Sequence, residues 1–372
     1  MSKIEKKIKD YLNLDLSELN TNKKEKKIIE ILKLQIKHHR KNCQIYNNWY
    51  SKNNFLQPEM IKKYEDVPFL PSAVFKKFLL KSTTQKNKII TSSGSSGQSK
   101  SSIYIDSSTS NLQKISLSKL LMNVLGNKRR TFFIVDIEPT ENFQHNIISA
   151  RYAGMTGYLM AASSKIYLLK FDKNNKLILN KKSIQKLFEL IEKEPIVIIG
   201  YTYMLWEYLL NSQQLNFQKL DCDKNFKIIH FGGWKKLENK SVSKENFNTK
   251  ILKLFKINPS AILDIYGFSE QLGNIFISRG LGGCNVNSFS HVLIRNPKTL
   301  RIANDGEEGF LQFLSILPLS YPGFSILNDD IGYISKRKKN KNVETLEFKI
   351  KSRLAKLEPR GCGDTLPKNY YI

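Results

Sequence analysis

The segment 91–101, TSSGSSGQSKS, concentrates the residue types that hold a polyphosphate. Its glycines, Gly94 and Gly97, admit backbone angles and close approaches that a Cβ would forbid. Thr91, Ser92, Ser93, Ser95 and Ser96 add N–H and hydroxyl donors, and Lys100 adds an ammonium group. The loop lies between the short apolar run Lys88-Ile89-Ile90 and an expected helix, with Lys100 placed at the helix start, a setting that favours anions. A low-complexity linker has a similar composition, but linkers seldom sit inside an α/β pattern. The spacing GxxGxxKS also differs from the GxxxxGK[ST] of a Walker loop.

The second candidate chemistry is that of a thiol. Cys43, Cys222, Cys284 and Cys362 stand far apart, which excludes the usual zinc and C-x-x-C spacings. The first three lie in segments where a small buried apolar side chain suffices. Cys362 is flanked by Gly361 and Gly363 in a polar, proline-flanked tail able to swing between two sites. Arg360 favours the thiolate, the attacking species, and Asp364 partly opposes it. At this point an exposed, idle cysteine remains the alternative.

These groups need a scaffold, and hydrophobic spacing indicates one. Residues 1–88 read mainly as helix: within 23–52, Ile28, Ile29, Ile31, Leu32, Leu34 and Ile36 recur near helical spacing, with Lys and Glu between them. His38 and His39 are read as exposed on that helix. Pro58, Pro68 and Pro71 punctuate a turn-rich connection. Helices are then expected over 107–126, 183–194 and 244–255, with strands over 131–137, 195–200, 226–231 and 261–266. Strands apolar on both faces that alternate with helices predict an α/β fold with a largely parallel sheet. The last hundred or so residues read as β-rich, with strands at 309–313, 332–335 and 344–350 separated by Gly, Pro and the basic run 336–341.

The chain has 372 residues and a formal charge of +27, so nucleic acid and anionic membranes come first to mind as partners. Lysine dominates that charge, with 10 arginines among the 60 basic residues, and the lysines are scattered among Asn and Ile. Readers of DNA bases favour the arginine fork, and no zinc finger, recognition helix or RNA-binding aromatic signature is present. A solvated basic surface with no specific nucleic-acid partner is expected. The charged N-terminus has no apolar signal core and no run spans a bilayer, which together with the cysteine usage points to the cytoplasm.

With three further segments in order, the loop resembles the phosphate loop of the adenylate-forming superfamily, [ST]SG[ST]TGxPKG, with Ser99 and Ser101 replacing the proline and last glycine. His230-Phe231-Gly232-Gly233-Trp234-Lys235 resembles the glycine turn beside adenine and the acyl pocket. Tyr266-Gly267-Phe268-Ser269-Glu270 resembles YGxTE, which would set Tyr266 and Gly267 at the nucleotide and Glu270 on magnesium. Asn328-Asp329-Asp330-Ile331-Gly332 resembles TGDxG, aligning Asp330 with the ribose-binding aspartate. Lys351-Ser352-Arg353 and Leu357-Glu358-Pro359-Arg360-Gly361-Cys362 resemble the ending of the LuxE-type acyl-protein synthetases.

The resemblance covers nearly the whole chain. It implies the large domain of an adenylate-forming enzyme over 1–350, with a helical N-terminal part, and a C-terminal small domain reduced to the tail 351–372. It further implies ATP held by Thr91, Ser92, Ser93, Gly94, Ser95, Ser96, Gly97, Lys100, Gly232, Gly233, Tyr266, Gly267, Asp330 and Arg353. Catalysis would involve Lys100, Glu270 with Mg2+, and Cys362 as acyl acceptor. The expected substrate is a carboxylic acid, a fatty acid above all, and the expected partner an acyl reductase or carrier protein. A coenzyme A ligase of the phenylacetate type and a basic binding protein without turnover are the alternatives. Pyrophosphate release separates the enzymes from the binding protein, and the need for coenzyme A separates the two enzymes.

Overall fold

The computed structural model describes residues 2–14, 21–85, 87–91, 100–139, 155–212, 215, 222, 225–234, 241–340 and 343–353. They fall into two compact units, one drawn from Met1–Ser116, Gly267–Phe276 and Gly283–Ile372, the other from Leu117–Tyr266 and Ile277–Gly282.

The second unit holds the parallel sheet. Its strands lie in the order Ile262–Tyr266, Lys227–Phe231, Val197–Tyr201, Arg130–Ile137, Ala162–Phe171 and Leu177–Leu179. The first five run parallel and the last is antiparallel. Phe132, Phe133, Ile134 and Val135 are consecutive and all fully buried, as are Val197, Ile198 and Ile199. A strand covered on both faces must be apolar at every position rather than at alternate ones, which is why these runs were legible. Each such side chain contributes about 1.5–3 kcal/mol of burial free energy. The helices Lys181–Leu190 and Lys244–Phe255 join successive strands, the latter capped by Ser243, whose hydroxyl accepts from Asn246 N at 3.1 Å.

The first unit combines helices with an antiparallel sheet. Helices Lys3–Asn13, Thr21–Asn42 and Gln44–Lys52 bear out the helical N-terminal reading. Strands Ser290–Arg295, Gly309–Ser315, Ser325–Asn340, Val343–Arg353 and Cys284–Asn285 pair antiparallel in that order. The basic run does not separate strands as expected: Lys336 to Asn340 continue the long strand, pairing with residues 343–347. Charged side chains are compatible with a strand there because the segment Lys336–Lys338 is exposed, and Arg337 is paired with Asp305 at 2.6 Å and Glu344 at 2.8 Å. Of the expected tail, residues 351–353 belong to the last strand, and the rest lies outside the described residues.

Two local expectations are corrected. The segment before the helix is a strand pair, Asn87–Thr91 antiparallel with Ser102–Asp106, and the helix Ser107–Leu125 follows only then. Lys100 therefore precedes a strand, and Asp106 makes the helix cap by accepting from Thr109 N at 2.8 Å. His39 is fully buried instead of exposed, because the helix Thr21–Asn42 is covered on that side: its ring stacks on Phe324 at 5.5 Å and Nδ1 lies 2.9 Å from Ser82 Oγ.

Burial, reinforced by His38, holds the His39 imidazole well below its ordinary pKa, so it is neutral in the folded chain. The unfolded chain binds a proton at this residue below about pH 6.5, and the folded chain does not. Stability from this group is therefore complete above that pH and is lost as pH falls, by up to about 1.4 kcal/mol per pH unit. Denaturant titrations of the wild type and His39→Phe between pH 7 and 5 should show a shallower decline for the variant; equal slopes would exclude this role for His39.

Candidate active site

In the parallel unit the chain runs outward from Arg130–Ile137 through Ala162–Phe171 to Leu177–Leu179, then returns to the other side of Arg130–Ile137 as Val197–Tyr201. The strand order reverses there, and in open α/β sheets ligands bind at such a switch point, beyond the carboxyl ends of the strands. Those ends carry the candidate residues of this unit. Tyr201 closes one strand and Thr202 follows it; Phe231 closes the next, followed by Gly232 and Gly233; Tyr266 closes the third. Gly232 has φ +71°, and a Cβ there would come within 3.1 Å of the Tyr201 ring. A Cβ on Gly233 would meet nothing within 4 Å among the described residues.

Behind the turn lies a polar chain. Thr202 Oγ1 donates to Gly232 O at 2.8 Å, and His230 Nδ1 lies 3.0 Å from the same hydroxyl. Asp264 Oδ1 is 3.8 Å from His230 Nδ1, and its other oxygen accepts from Lys244 Nζ at 2.9 Å. Lys244 also donates to the buried Ser278 Oγ at 2.6 Å. Burial lowers the His230 pKa, so the ring is neutral. Burial pulls Asp264 upward, but the Lys244 ammonium, 2.9 Å away, holds the carboxylate low.

The antiparallel unit holds the carboxylates. Glu270 lies in the turn Ser269–Gln271, which the Gln271 carboxamide anchors by donating to Phe313 O at 3.0 Å and Gly323 O at 2.8 Å. Tyr321 OH donates to Glu270 O at 2.9 Å. Gly323 allows this packing, since a Cβ there would fall 2.8 Å from Glu270 O. Asp330 is buried in the strand Ser325–Asn340, and its backbone stands in register with Arg353. Its neighbour Asp329 is engaged structurally, accepting from Ser72 Oγ at 3.0 Å with Lys76 Nζ at 3.8 Å. Thr91 is exposed at the end of its hairpin strand, Lys100 is exposed, and Gly267 is exposed at the start of the unit's short segment. Ser92, Ser93, Gly94, Ser95, Ser96, Gly97 and Cys362 lie outside the described residues.

Among the described residues no cluster of three His, Cys, Asp or Glu could cage a metal by itself. A magnesium ion takes one or two carboxylates plus substrate phosphates and water, so Glu270 is the group of this unit that would hold one. The Glu270 carboxylate accepts one hydrogen bond, from Ser269 Oγ at 3.0 Å, which leaves its other oxygen without a protein partner among the described residues.

The protein class is that of the adenylate-forming ligases, and the family and relatives that the chain matches carry it. The fold agrees with 2-hydroxyisobutyryl-CoA ligase in its open conformation with 2-HIB-AMP and CoA, with a TM-score of 0.59 at 11% identity over 88% of this chain and 70% of that one. The chain belongs to the LuxE family of acyl-protein synthetases, whose description matches residues 1–371. It is similar to the long-chain-fatty-acid–luciferin-component ligase of Aliivibrio fischeri, 26% identical over 80% of this chain and 77% of the relative. The ligase of the same name from Vibrio harveyi is 25% identical over 82% of this chain and 78% of its own length.

Sequence reading missed Thr202, Asp264, Lys244 and Tyr321. A signal existed for one of them: Asp264 stands two residues before Tyr266 in a strand, and alternate strand residues share a face. Tyr321 offers a direct check on the Glu270 turn. Tyr321→Phe leaves the Glu270 carbonyl without this buried donor and should cost about 1–3 kcal/mol in urea unfolding; an unchanged midpoint would show that the bond does not hold the turn.

Proposed function

We propose that the chain activates a long-chain fatty acid with ATP as acyl-AMP and passes the acyl group through Cys362 to a partner protein. The observation that carries the adenylation step is the placement of the Gly232–Gly233 turn and Tyr266 at the carboxyl ends of neighbouring parallel strands in a chain of this family. The names of the relatives supply the acid, and the tail sequence supplies the thiol.

A carboxylate is a poor acyl donor because oxide is a poor leaving group. In the proposed first step a carboxylate oxygen attacks the α-phosphorus of ATP, the bond to the β-phosphate bridging oxygen breaks, and pyrophosphate leaves. Magnesium, when bound, neutralises the phosphate charge in such a step. The loop 91–101 and Lys100 bind the phosphates, Glu270 supplies the metal's protein oxygen, and Asp330 accepts from the ribose hydroxyls. Catalysis then consists mainly of positioning and charge stabilisation. In the second step the Cys362 thiolate attacks the acyl carbon, a thioester forms, and AMP departs with the bonding pair. An acyl reductase or carrier protein receives the acyl group from that thioester. The work is expected in the cytoplasm; among the described residues no helix is long and apolar enough to cross a membrane.

The two steps are separable by experiment. Cys362→Ala should retain fatty-acid-dependent exchange of pyrophosphate into ATP and lose hydroxylamine-sensitive labelling of the protein by radioactive acid. Labelling equal to wild type would place the acceptor elsewhere, and turnover driven by coenzyme A without any labelling would favour the coenzyme A ligase reading. Lys100→Ala removes a charge-assisted contact of about 1.5–3 kcal/mol and should slow exchange at least tenfold. Normal exchange by this variant would remove Lys100 from the phosphate site.

A further inference from the structure

We propose that Thr202 is a positioning residue for the nucleotide: its hydroxyl locks the Gly232–Gly233 turn, and the chain Lys244–Asp264–His230 fixes the direction in which that hydroxyl donates. The proposal rests on the adenylating reading above and deepens it, since it says what holds the turn in the form that meets ATP.

Proton accounting carries the argument. The Gly232 carbonyl can only accept, and Thr202 has a single proton, so at 2.8 Å that proton is committed to Gly232. Phe231 O, at 3.4 Å, is the weaker competitor for it. The threonine oxygen is then an acceptor towards His230, and Nδ1, 3.0 Å away, must carry the ring's proton. Asp264 favours the same tautomer, because its carboxylate lies 3.8 Å from Nδ1, and Lys244 holds that carboxylate at 2.9 Å. His230 Nε2 is buried with no hydrogen-bond partner among the described residues, as expected of the unprotonated nitrogen of that tautomer.

The backbone agrees with this arrangement. Gly232 has φ +71°, so the turn is left-handed and needs an external bond to hold its carbonyl in one direction. Thr202 begins a short helix that continues as the π turn Leu205–Leu210, in which Asn211 N donates to Trp206 O at 3.1 Å. Such turns are uncommon and concentrate at functional sites. Here the π turn carries Trp206, whose ring packs edge-on against Trp234, immediately after Gly233, at 6.1 Å. The Gly232–Gly233 turn is thus held from the Thr202 side by a hydrogen bond and on its far end by a ring contact.

The test compares Thr202→Val with Thr202→Ser in the full chain by fatty-acid-dependent pyrophosphate exchange, with thermal unfolding as a check on folding. Thr202→Val should raise the KM for ATP about tenfold with kcat within about twofold, and Thr202→Ser should restore the KM. A tenfold change corresponds to about 1.4 kcal/mol, the scale of one buried hydrogen bond. A wild-type KM in Thr202→Val overturns the inference, and so does an equal rise in Thr202→Ser, which keeps the hydroxyl and loses only the methyl. Should Thr202→Val fail to fold, His230→Asn and His230→Gln decide. Asparagine can place an N–H near Nδ1 and should keep the KM, whereas glutamine reaches the Nε2 position and should not; the reverse order overturns the inference. Absence of acid-dependent exchange in the wild type overturns the adenylating reading and this inference with it.

Discussion

The strand Arg130–Ile137 is covered on both faces and paired in parallel on both edges, and this double constraint organises the parallel unit. A central strand buried from Phe132 to Ile137 cannot satisfy its backbone except through two neighbours. Because both neighbours are parallel, each must be reached by a crossover rather than a hairpin. The chain meets this by building outward on one side first and returning to the other, which leaves a reversal of order beside the central strand. The candidate nucleotide turn stands at the ends of strands on the returning side.

Polar groups in this unit follow from the same geometry. Strand interiors tolerate no unpaired charge, so His230 and Asp264 occur only with partners close by, on adjacent parallel strands in register with each other. Pairing places His230 beside Asp264, and the helix Lys244–Phe255, which joins the two strands, supplies Lys244 from its first turn. The resulting ion pair is half-exposed at its lysine end and closed at its histidine end. Solvent screening at the lysine makes the pair a device for orientation more than for stability.

The antiparallel unit reaches a comparable result by other means. Its carboxylate turn is carried by side-chain amide and phenol groups bonded to backbone carbonyls, with Gln271 and Tyr321 as the anchors. Both are neutral donors, so the negative charge of Glu270 is not cancelled from behind.

Local pattern was enough to determine four strands of the parallel sheet, the helices around 23–52 and 244–255, and the β-rich last hundred residues, because burial on both faces and helical spacing leave periodic traces in composition; Ala162–Phe171 and Leu177–Leu179, which are partly exposed, left no such trace. The candidate residues Gly232, Tyr266, Glu270 and Asp330 could be singled out in the sequence because each sits in a short contiguous segment. Tertiary structure alone decided the rest. The basic run 336–340 became strand because a partner across the hairpin satisfied its backbone and two carboxylates received Arg337. His39 became buried because Phe324, far along the chain, covers it. Thr202, His230, Asp264 and Lys244 are spread over 63 positions of sequence and meet only through strand register. No local window can contain such a group, because what joins its members is the pairing of neighbouring strands and not their spacing along the chain.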